Sequence, residues 1–575
     1  MKNEIENNIL LIKIPEFYMT YEPTNPERAM HGPITIPLGI LQLGSYIQNS
    51  FPEVETHYLD LHLKARQAYL AAYSSTVGTV PKDSNPDLMS NSELPHLSST
   101  AVLKKELSGE LERLKPRIVG ISLALNAFAE NFHKVSELIK EIYPEALVVA
   151  GGHYPSSYPE RIHKDKNVDY YVIGEGEIPF KKFVGEVLKD ELPADKKLNE
   201  KKVYLESFND FPALEYDKMG IESYLAQRDT SSIGGDQGRT IHMCTSRGCP
   251  LKCIYCATHN VWDHGFRAQS AENVYNQVVE LKEKYNVDTV VFVDDNFILS
   301  KRRTKEFCRL LIKNNVDIQW YPDSVLINAL DEEMVKLMAQ SGCQSLALAV
   351  ESGVDRIQKM IKKRVKLDHC KNMIQCLRRE GITVYSLFVL GFPGETKEEI
   401  EQTLQFAREL KSDWYIMQIA TPLTGTEMYD IADENNYLPE NLVETTGRGN
   451  MSTPDFSAEY IQEVLYDQNF KINFLNNVNY LSGNFEKALQ SFEGIARCYP
   501  DHFICKYMCW KIYKKQNEAQ KADAMFKDLE KLYKNNHEHS KKLIETYNLS
   551  ISFEESGQKS PGIKQESFAA NLQAS

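Results

Sequence analysis

Three cysteines in the middle of the chain, Cys249, Cys253 and Cys256, have the spacing C-x3-C-x2-C. Three thiolates can hold three irons of a [4Fe–4S] cluster, which leaves the fourth iron open to a small molecule that carries an amine and a carboxylate. Zinc prefers a closed set of four ligands, and Cys244 or His259 stands near enough in the sequence to be the fourth. The spacing alone therefore indicates a metal centre and leaves both possibilities open.

The region around the cysteines, residues 239–435, alternates candidate strands with helical patterns. Polar residues follow the strands, as expected for a site at the carboxyl mouth of a partial (β/α) barrel. The same residue types also cap helices and form turns, but four such strand ends behind a cysteine triad favour a functional site. The four ends are 289–293 before Asp294 and Asp295, 346–350 before Glu351, 386–390 before 391–396, and 416–420 before 421–426.

The first 190 residues show the same alternation, which is typical of a parallel sheet with crossover helices. Ligands of such sheets lie beyond the carboxyl ends of the strands, where glycine lets the backbone approach them. Gly151, Gly152 and His153 stand at the end of the fourth candidate strand and Gly174 at the end of the fifth, although His153 is interpreted equally well as an ordinary loop histidine. The sequence predicts a doubly wound α/β domain with a ligand site here. Its candidate strands are 9–14, 56–60, 118–123, 147–152 and 170–174.

The cysteine motif and its lead-in Ser246-Arg247-Gly248 resemble the radical S-adenosylmethionine (SAM) superfamily. The Gly-Phe-Pro-Gly-Glu-Thr run at 391–396 and the pair Arg267 and Ser270 also match family motifs. The N-terminal domain resembles the cobalamin-binding domain that precedes many such barrels. The chain is most similar to the cobalamin-dependent subgroup that includes anaerobic magnesium-protoporphyrin monomethyl ester cyclase and many C-methyltransferases. The resemblance implies a Rossmann-like cobalamin domain followed by a TIM-like partial barrel.

The resemblance also implies SAM contacts within the barrel. Asp294 and Asp295 fall where these enzymes hold the methionyl amine. Glu351 falls in the turn that contacts the ribose or the methionyl carboxylate, and Lys363 aligns with a cation that reaches the same carboxylate. Tyr255 matches the aromatic residue that touches the adenine.

In the N-terminal domain the resemblance assigns Ser122, Gly151 and Gly152 to the nucleotide tail of cobalamin, with His153 and Gly174 close by. In this family the histidine that ligates cobalt belongs to a D-x-H-x-x-G motif in the loop after the first strand. That loop contains no matching motif in this chain, so no histidine ligand for cobalt is expected.

A partial copy of that motif, Asp60 to Ala65, follows the second strand and ends in alanine. His62 is therefore interpreted as a loop or surface histidine. The loop after the first strand offers His31, but no aspartate stands two residues before it.

The C-terminal quarter contains a weak repeat of period 34 that resembles a tetratricopeptide motif. Ala488 and Phe492 recur as Ala522 and Phe526. With fewer than three repeats, the region is either a docking surface for a protein partner or a helical cap on the barrel. The predicted domains are a cobalamin-binding domain at 1–195, a linker at 196–238, a radical SAM core at 239–440, a helical region at 441–553 and a disordered tail at 554–575.

Composition limits the partners. A formal net charge of -14 argues against a general nucleic-acid binder. The chain has 11 cysteines, lacks a signal-like start after Met1 and has no apolar run long enough to span a membrane, which predicts reduced thiols and a cytoplasmic location. The expected partners are a small-molecule substrate and an electron donor such as flavodoxin or ferredoxin.

Three functions remain open at this point. The first is methylation of an unactivated carbon through a 5′-deoxyadenosyl radical, which the pairing of a cobalamin domain with a radical SAM core favours. The second is a radical cyclisation or oxidation without methyl transfer. The third is a scaffold stabilised by zinc or a cluster, without turnover, which would leave the strand-end acids and glycines unexplained.

Overall fold

The computed structural model describes residues 7–15, 35–68, 99–124, 126–209, 211–226, 238–439 and 451–553. The chain divides into two compact units, Met1–Cys498 and Tyr499–Ser575. Among the described helices, none is both long and apolar enough to cross a membrane. His31 and the predicted disordered tail lie outside the described residues.

The N-terminal domain is built on a five-stranded parallel sheet of order β2-β1-β3-β4-β5. The switch point of this order lies between β1 and β3, where doubly wound sheets bind their ligands. The strands are β1 (Asn8–Lys13), β2 (Glu55–Asp60), β3 (Ile118–Leu123), β4 (Leu147–Gly152) and β5 (Tyr170–Tyr171).

Helices cover both faces of this sheet, because alternate residues of a strand point to opposite sides. In β1, Ile9 and Leu11 pack in one apolar core and Leu10 and Ile12 in another. The helices of the domain are α1 (Leu38–Ser50), α2 (61–68), α3 (Ser99–Leu114), α4 (Ala129–Ile142), α5 (His153–Ser157), α6 (Pro159–Lys164) and α7 (Glu177–Leu188).

Six parallel strands form the partial barrel of the central region. They lie in two groups, β6-β9-β10 and β11-β12-β13, and parallel bridges Trp320–Cys343 and Val325–Leu348 join the groups. A short antiparallel pair, β7 with β8, flanks the cysteine motif. The strands are β6 (Thr240–Met243), β7 (Ser246–Arg247), β8 (Arg267–Ala268), β9 (Thr289–Phe292), β10 (Gln319–Pro322), β11 (Ser345–Glu351), β12 (Thr383–Leu390) and β13 (Trp414–Ile419).

Side-chain caps define where several barrel helices begin. Ser270 accepts a hydrogen bond from Asn273 N, and Thr396 forms a capping box with Glu399. The helices are α8 (Tyr216–Met219), α9 (Glu222–Leu225), α10 (His259–Trp262), α11 (Ala271–Tyr285), α12 (Lys301–Lys313), α13 (Glu332–Gln340), α14 (Asp355–Met360), α15 (Leu367–Arg379), α16 (Lys397–Leu410) and α17 (Glu427–Glu434), with 3-10 turns at Asn126–Phe128 and Ile327–Ala329.

The C-terminal region is helical, as expected. Ala488 and Ala522 are both buried and both stand fourth in their helices. The tetratricopeptide interpretation stays a prediction. The first unit ends with α18 (Ala458–Phe470), a π-helical turn (Lys471–Leu475), α19 (Val478–Leu481) and α20 (Phe485–Cys498), and the second contains α21 (Phe503–Lys515), α22 (Ala519–Asn535) and α23 (His537–Thr546).

The predicted fold class is confirmed: a five-stranded α/β domain, a partial barrel and a helical C-terminal region follow one another. The predicted domain boundaries stay predictions. Part of the expected linker packs on its neighbours: Lys197 bridges to Tyr171, and Asn199 bonds both the N–H and the carbonyl of Ile173.

Candidate functional site

A cavity of about 290 Å³ opens at the carboxyl ends of the barrel strands. Cys249, Cys253 and Cys256 all line it. The lining also contains four of the residues predicted to contact SAM, namely Tyr255, Asp295, Glu351 and Lys363. The structure therefore brings the cysteine motif and most of the expected SAM contacts to one place.

The three motif cysteines are unpaired thiols; Cys253 is buried, while Cys249 and Cys256 are half-buried. Burial raises the pKa of Cys253 to about 11, and it also raises the pKa of Cys249. A nearby cation favours the thiolate, and Lys363 lowers both pKa values. Within the described residues, no three His, Cys, Asp or Glu side chains are grouped to hold a single metal ion.

The two candidate fourth zinc ligands are already hydrogen-bonded. The Cys244 thiol donates to Ser246 O at 3.4 Å, and burial raises the pKa of Cys244 to about 12. His259 lines the cavity, but its Nδ1 is 2.9 Å from Asp263 O.

Asp294 is buried behind the cysteine motif and braces its lead-in. Its carboxylate accepts hydrogen bonds from Thr245 N at 3.2 Å, from Thr245 Oγ1 at 2.9 Å and from the Ser246 hydroxyl. Burial raises the pKa of Asp294, while Arg303 opposes that change. Asp294 is not among the described residues that line the cavity, so its contact with SAM stays a prediction.

Asp295 lines the cavity and also holds the cysteine loop. Its Oδ2 accepts from Gly248 N at 2.7 Å, and its Oδ1 accepts from Thr258 Oγ1 at 3.3 Å. Gly248 requires glycine because its φ is +83° and a Cβ would lie 2.1 Å from Gly265 O. The aspartate thus links the strand end of β9 to both sides of the cysteine motif.

Glu351, Tyr255 and Lys363 form one polar group on the cavity wall. Tyr255 Oη donates to Glu351 Oε1 at 2.9 Å, and Lys363 Nζ lies 3.1 Å from the same oxygen. Glu351 has a φ of +69°, and the neighbours of Lys363, Lys362 and Arg364, also have positive φ. Strained backbone of this kind accumulates at functional sites, because the surrounding structure must enforce it.

Asn296 is a cavity residue that the sequence interpretation missed. Its side chain is 3% exposed and lines the cavity, and its Oδ1 has no hydrogen-bond partner in the described part of the chain. A buried amide oxygen without a partner is costly, which points to a ligand group as the donor. The feature of the sequence that could have identified Asn296 is its position directly after Asp294 and Asp295, at the same strand end.

The Gly-Phe-Pro-Gly-Glu-Thr turn at 391–396 lies behind the cavity wall and contacts it through Tyr255. Glu395 folds back so that its Oε2 accepts from Gly391 N at 2.7 Å and Phe392 N at 3.1 Å, while its Oε1 has no partner among the described residues. Burial raises the pKa of Glu395 to about 7. The turn presents Phe392 to Tyr255, with the ring centres 5.6 Å apart.

The predicted cobalamin contacts lie together at the carboxyl ends of β3 and β4. Ser122 pairs with Gly151, and Gly152 follows with a φ of +95°. A Cβ on Gly152 would lie 2.8 Å from Ser122 Oγ and 3.0 Å from Leu123 O, whereas a Cβ on Gly151 would meet nothing within 4 Å. A large planar ligand can approach the end of a doubly wound sheet closely only where the backbone faces open space, as it does at Gly151.

His153 and Gly174 connect this end of the sheet to α10. The His153 ring meets Trp262 edge to face with centres 6.2 Å apart, and burial lowers the pKa of His153. Gly174 has a φ of +77°, and a Cβ on it would lie 3.0 Å from Lys202 Cγ and in ordinary contact with Val261 O, at 3.4 Å. Ser156 Oγ links the two strand ends by donating to Gly152 O and accepting from Gly174 N.

Helix α10 therefore separates the glycine end of the N-terminal sheet from the cysteine cavity. His259, its first residue, lines the cavity, and Asn260 donates to Ser157 Oγ at 3.1 Å and to Thr424 O at 2.9 Å. Only three residues lie between the last motif cysteine and the second residue of α10. One short helix thus contacts both candidate cofactor sites.

A buried charge cluster, consisting of Arg247, Arg267, Glu175 and Glu177, joins the two domains. Arg247 Nη2 lies 2.7 Å from Glu177 Oε1 and its Nη1 lies 3.5 Å from Glu175 Oε1. Arg267 Nη1 donates to Glu175 Oε2 at 3.0 Å. Burial disfavours the guanidinium charge, but the two glutamates hold the pKa of Arg247 above its ordinary value. The cluster connects the end of β5 to the cysteine motif.

The Asp60–His62 pair is part of a helix start, and the interpretation of His62 as a loop or surface histidine is wrong, because His62 is buried within α2. Asp60 Oδ1 accepts from His62 N at 2.9 Å and Leu63 N at 3.1 Å, and Oδ2 accepts from Tyr224 Oη at 2.9 Å. This is the geometry of an N-cap aspartate at the beginning of α2. Since β2 is the edge strand, the cap also lies away from the switch point.

Comparison with known proteins identifies both domains. Residues 243–407 match the Radical SAM superfamily and residues 95–184 match the B12 binding domain. The chain belongs to the B12-binding radical SAM superfamily. Such enzymes require a reductant and a substrate, and the cofactors are those of this family: a [4Fe–4S] cluster, SAM and cobalamin.

Among relatives of this radical SAM enzyme, an uncharacterized methyltransferase of Pyrococcus horikoshii is 29% identical over 340 residues, which cover 57% of the chain and 72% of the relative. The anaerobic magnesium-protoporphyrin IX monomethyl ester cyclase of Rubrivivax gelatinosus is 23% identical over 395 residues, 67% of each chain. The structure of the radical SAM methyltransferase TsrM from Kitasatospora setae, with cobalamin and a [4Fe–4S] cluster bound, has a TM-score of 0.54 at 14% identity and covers 76% of this chain and 79% of that one.

The residues present fit these cofactors. Three unpaired thiols at cluster spacing face a cavity that also holds a buried amide oxygen without a partner. The carboxyl ends of β3 and β4 leave the backbone of Gly151 open. The assignment of individual SAM and cobalamin contacts stays a prediction.

Proposed function

We propose that this enzyme methylates an unactivated carbon of a small-molecule substrate. The observation that carries the proposal is the position of α10, which touches the cysteine cavity on one side and the glycine end of the B12 domain on the other. Proximity of this kind makes transfer between two bound groups effectively intramolecular. The relative from Pyrococcus horikoshii, described as a methyltransferase, supports the same reaction class.

The cofactors supply the difficult chemistry when bound: the cluster and SAM generate a radical that takes hydrogen from carbon, and cobalamin carries a methyl group. The protein positions these groups. Asp295 fixes the cysteine loop, and the Glu351–Lys363 pair presents opposite charges to a zwitterionic ligand. Apolar residues on the rest of the wall exclude water; they include Leu387, Val389, Ile419 and Met428.

Methyl-labelled SAM tests the proposal. The reconstituted enzyme is incubated under anaerobic conditions with reductant, labelled SAM and a small-molecule extract of the source cells. We expect a new compound with the label on carbon, and one 5′-deoxyadenosine and one S-adenosylhomocysteine for each product formed. Product formed with 5′-deoxyadenosine but without label or S-adenosylhomocysteine would contradict methyl transfer.

A radical cyclisation is the second candidate, because the match to the Rubrivivax gelatinosus cyclase covers a larger share of this chain than the methyltransferase match. The two candidates differ in the fate of the methyl group, so the same experiment distinguishes them. The unlabelled outcome described above is the result that the cyclase-like reaction predicts.

A further inference from the structure

The surface beside the cysteine loop is basic, although the whole chain has 66 basic and 80 acidic residues. Segment 355–366, with the sequence Asp-Arg-Ile-Gln-Lys-Met-Ile-Lys-Lys-Arg-Val-Lys, contains six basic residues and one acidic residue. Three of the six are paired with glutamates, and the other three, Lys359, Arg364 and Lys366, form the basic patch together with Lys252. Such local reversal of charge in an acidic protein creates a patch that attracts an acidic partner. We infer that this patch is the docking surface for the acidic one-electron carrier protein that reduces the cluster.

The patch is attached directly to the cluster motif. Ile254, which stands between the second and third motif cysteines, donates its N–H to Ile361 O at 3.2 Å. Ile254 also packs in one apolar core with Ile357 and Ile361. Lys359 is two residues from Ile361, so its backbone lies within about 8 Å of that contact.

The cations of the patch are available to a partner. Lys359, Arg364 and Lys366 are exposed, as is Lys252, which stands between the first two motif cysteines. None of the four side chains has an acidic partner in the described part of the chain. Unpaired charges at the rim of an interface mainly raise the rate of encounter and make it dependent on salt.

The chemistry of the donor follows from these charges. An acidic carrier protein and an enzyme with a net charge of -14 repel each other at long range. A basic patch next to the cluster offsets this repulsion only in the orientation that brings the donor close to the electron acceptor. Electron-transfer complexes are typically small and weak, so a few cations dominate them.

The test measures SAM cleavage with two reductants. Two charge-reversed proteins, Lys359→Glu/Lys366→Glu and Lys252→Glu, are assayed for 5′-deoxyadenosine with reduced flavodoxin and with dithionite. Ferredoxin is assayed in parallel. We expect the KM for the carrier to rise about tenfold at low salt in the double variant, and by less in the single one. Dithionite-driven cleavage is unchanged, because a small reductant needs no docking surface.

A matched control is Lys313→Glu. Lys313 is exposed and unpaired among the described residues, but it ends α12, which leads into the amino end of β10 and so lies away from the barrel mouth. Its carrier KM should equal that of the wild type. The KM of the wild-type enzyme for the carrier should also rise with salt, because salt screens the attraction between the two proteins. This measurement needs no variant.

The inference rests on the cluster being where electrons enter, as the proposed function requires. Dithionite-driven cleavage in the wild type tests that assumption separately. Unchanged carrier KM in both charge-reversed proteins would overturn the docking surface and leave the proposed function intact. Loss of dithionite-driven cleavage in those variants would also overturn it, since the cations would then serve the cluster loop itself.

Discussion

Replacing Glu175 with glutamine keeps the shape of the side chain and removes one negative charge from the buried charge cluster. Glu175 lies between Arg247 and Arg267 and also accepts from Leu205 N at 3.1 Å. In the variant, Arg247 keeps its ion pair with Glu177, in which Arg247 Nη2 lies 2.7 Å from Glu177 Oε1. Arg267 loses its only carboxylate partner among the described residues and keeps two neutral acceptors, the amide oxygen of the new glutamine and the Leu205 carbonyl at 3.0 Å.

The expected loss of unfolding free energy follows from this difference between Arg247, which keeps a carboxylate partner, and Arg267, which does not. Removing one partner from a buried ion pair costs about 3–5 kcal/mol, because the other charge stays buried without compensation. The Arg267 side chain is 19% exposed and solvent relieves part of the cost, so the lower end, about 3 kcal/mol, applies. For a domain of about 200 residues this corresponds to a fall in Tm of roughly 6–12 °C.

Thermal unfolding of the full-length protein checks the value. Glu186→Gln is the matched control, since Glu186 is in α7 and pairs with the exposed Lys182 at 3.6 Å. Surface pairs contribute at most about 1 kcal/mol, so the control should unfold near the wild-type temperature. Because the cluster holds the B12 domain to the cysteine motif, Glu175→Gln should also yield more 5′-deoxyadenosine per product. A Tm within 2 °C of the control, which corresponds to about 1 kcal/mol or less, would refute the reasoning.

Three further predictions concern single sites. Replacing any one of the three motif cysteines with alanine should abolish the brown chromophore and SAM cleavage, whereas Cys244→Ala should keep both; loss of iron from Cys244→Ala would show that a ligand was miscounted. Gly151→Ala places a methyl group in the open space that the ligand would occupy and should reduce bound cobalamin, while Gly109→Ala, which meets open space in the middle of α3, should not; equal cobalt content in the two variants would argue against the site. Burial raises the pKa of Glu395 from 4.5 to about 7. The free energy of unfolding should therefore fall by about 3 kcal/mol as pH rises through that range, because the unfolded chain loses the proton first. Glu395→Gln should remove this dependence, which denaturation curves at pH 5 and pH 8 measure.

Sequence periodicity predicted the long buried strands well. β11 and β12 contain the apolar runs 346–350 and 387–390, and their predicted and observed bounds differ by a few residues. β6 and β10 were not predicted, because four residues such as Thr-Ile-His-Met or Gln-Trp-Tyr-Pro carry no distinct period. Their assignment depends on pairing with β9, which is a contact between distant parts of the chain.

At the site, the sequence located the cysteines and the strand-end acids but not their partners. Asp294 and Asp295 were expected to face SAM, yet both also brace the cysteine lead-in. Arg267 matched a motif, but its ion pair with Glu175 joins residues 92 positions apart. Spacing along the chain identifies which residues share a strand end, whereas such long-range pairs become visible only once both domains are folded.

The buried charge cluster also bears on how such enzymes evolve. Glu175 and Glu177 belong to the B12 domain, whereas Arg247 and Arg267 flank the cysteine motif. A B12 domain transplanted onto another barrel would bring two buried carboxylates without their guanidinium partners, and a transplanted barrel would bring the reverse defect. The two domains of this chain are therefore not freely interchangeable parts: a chimera that exchanges one of them needs compensating changes among these four charged residues.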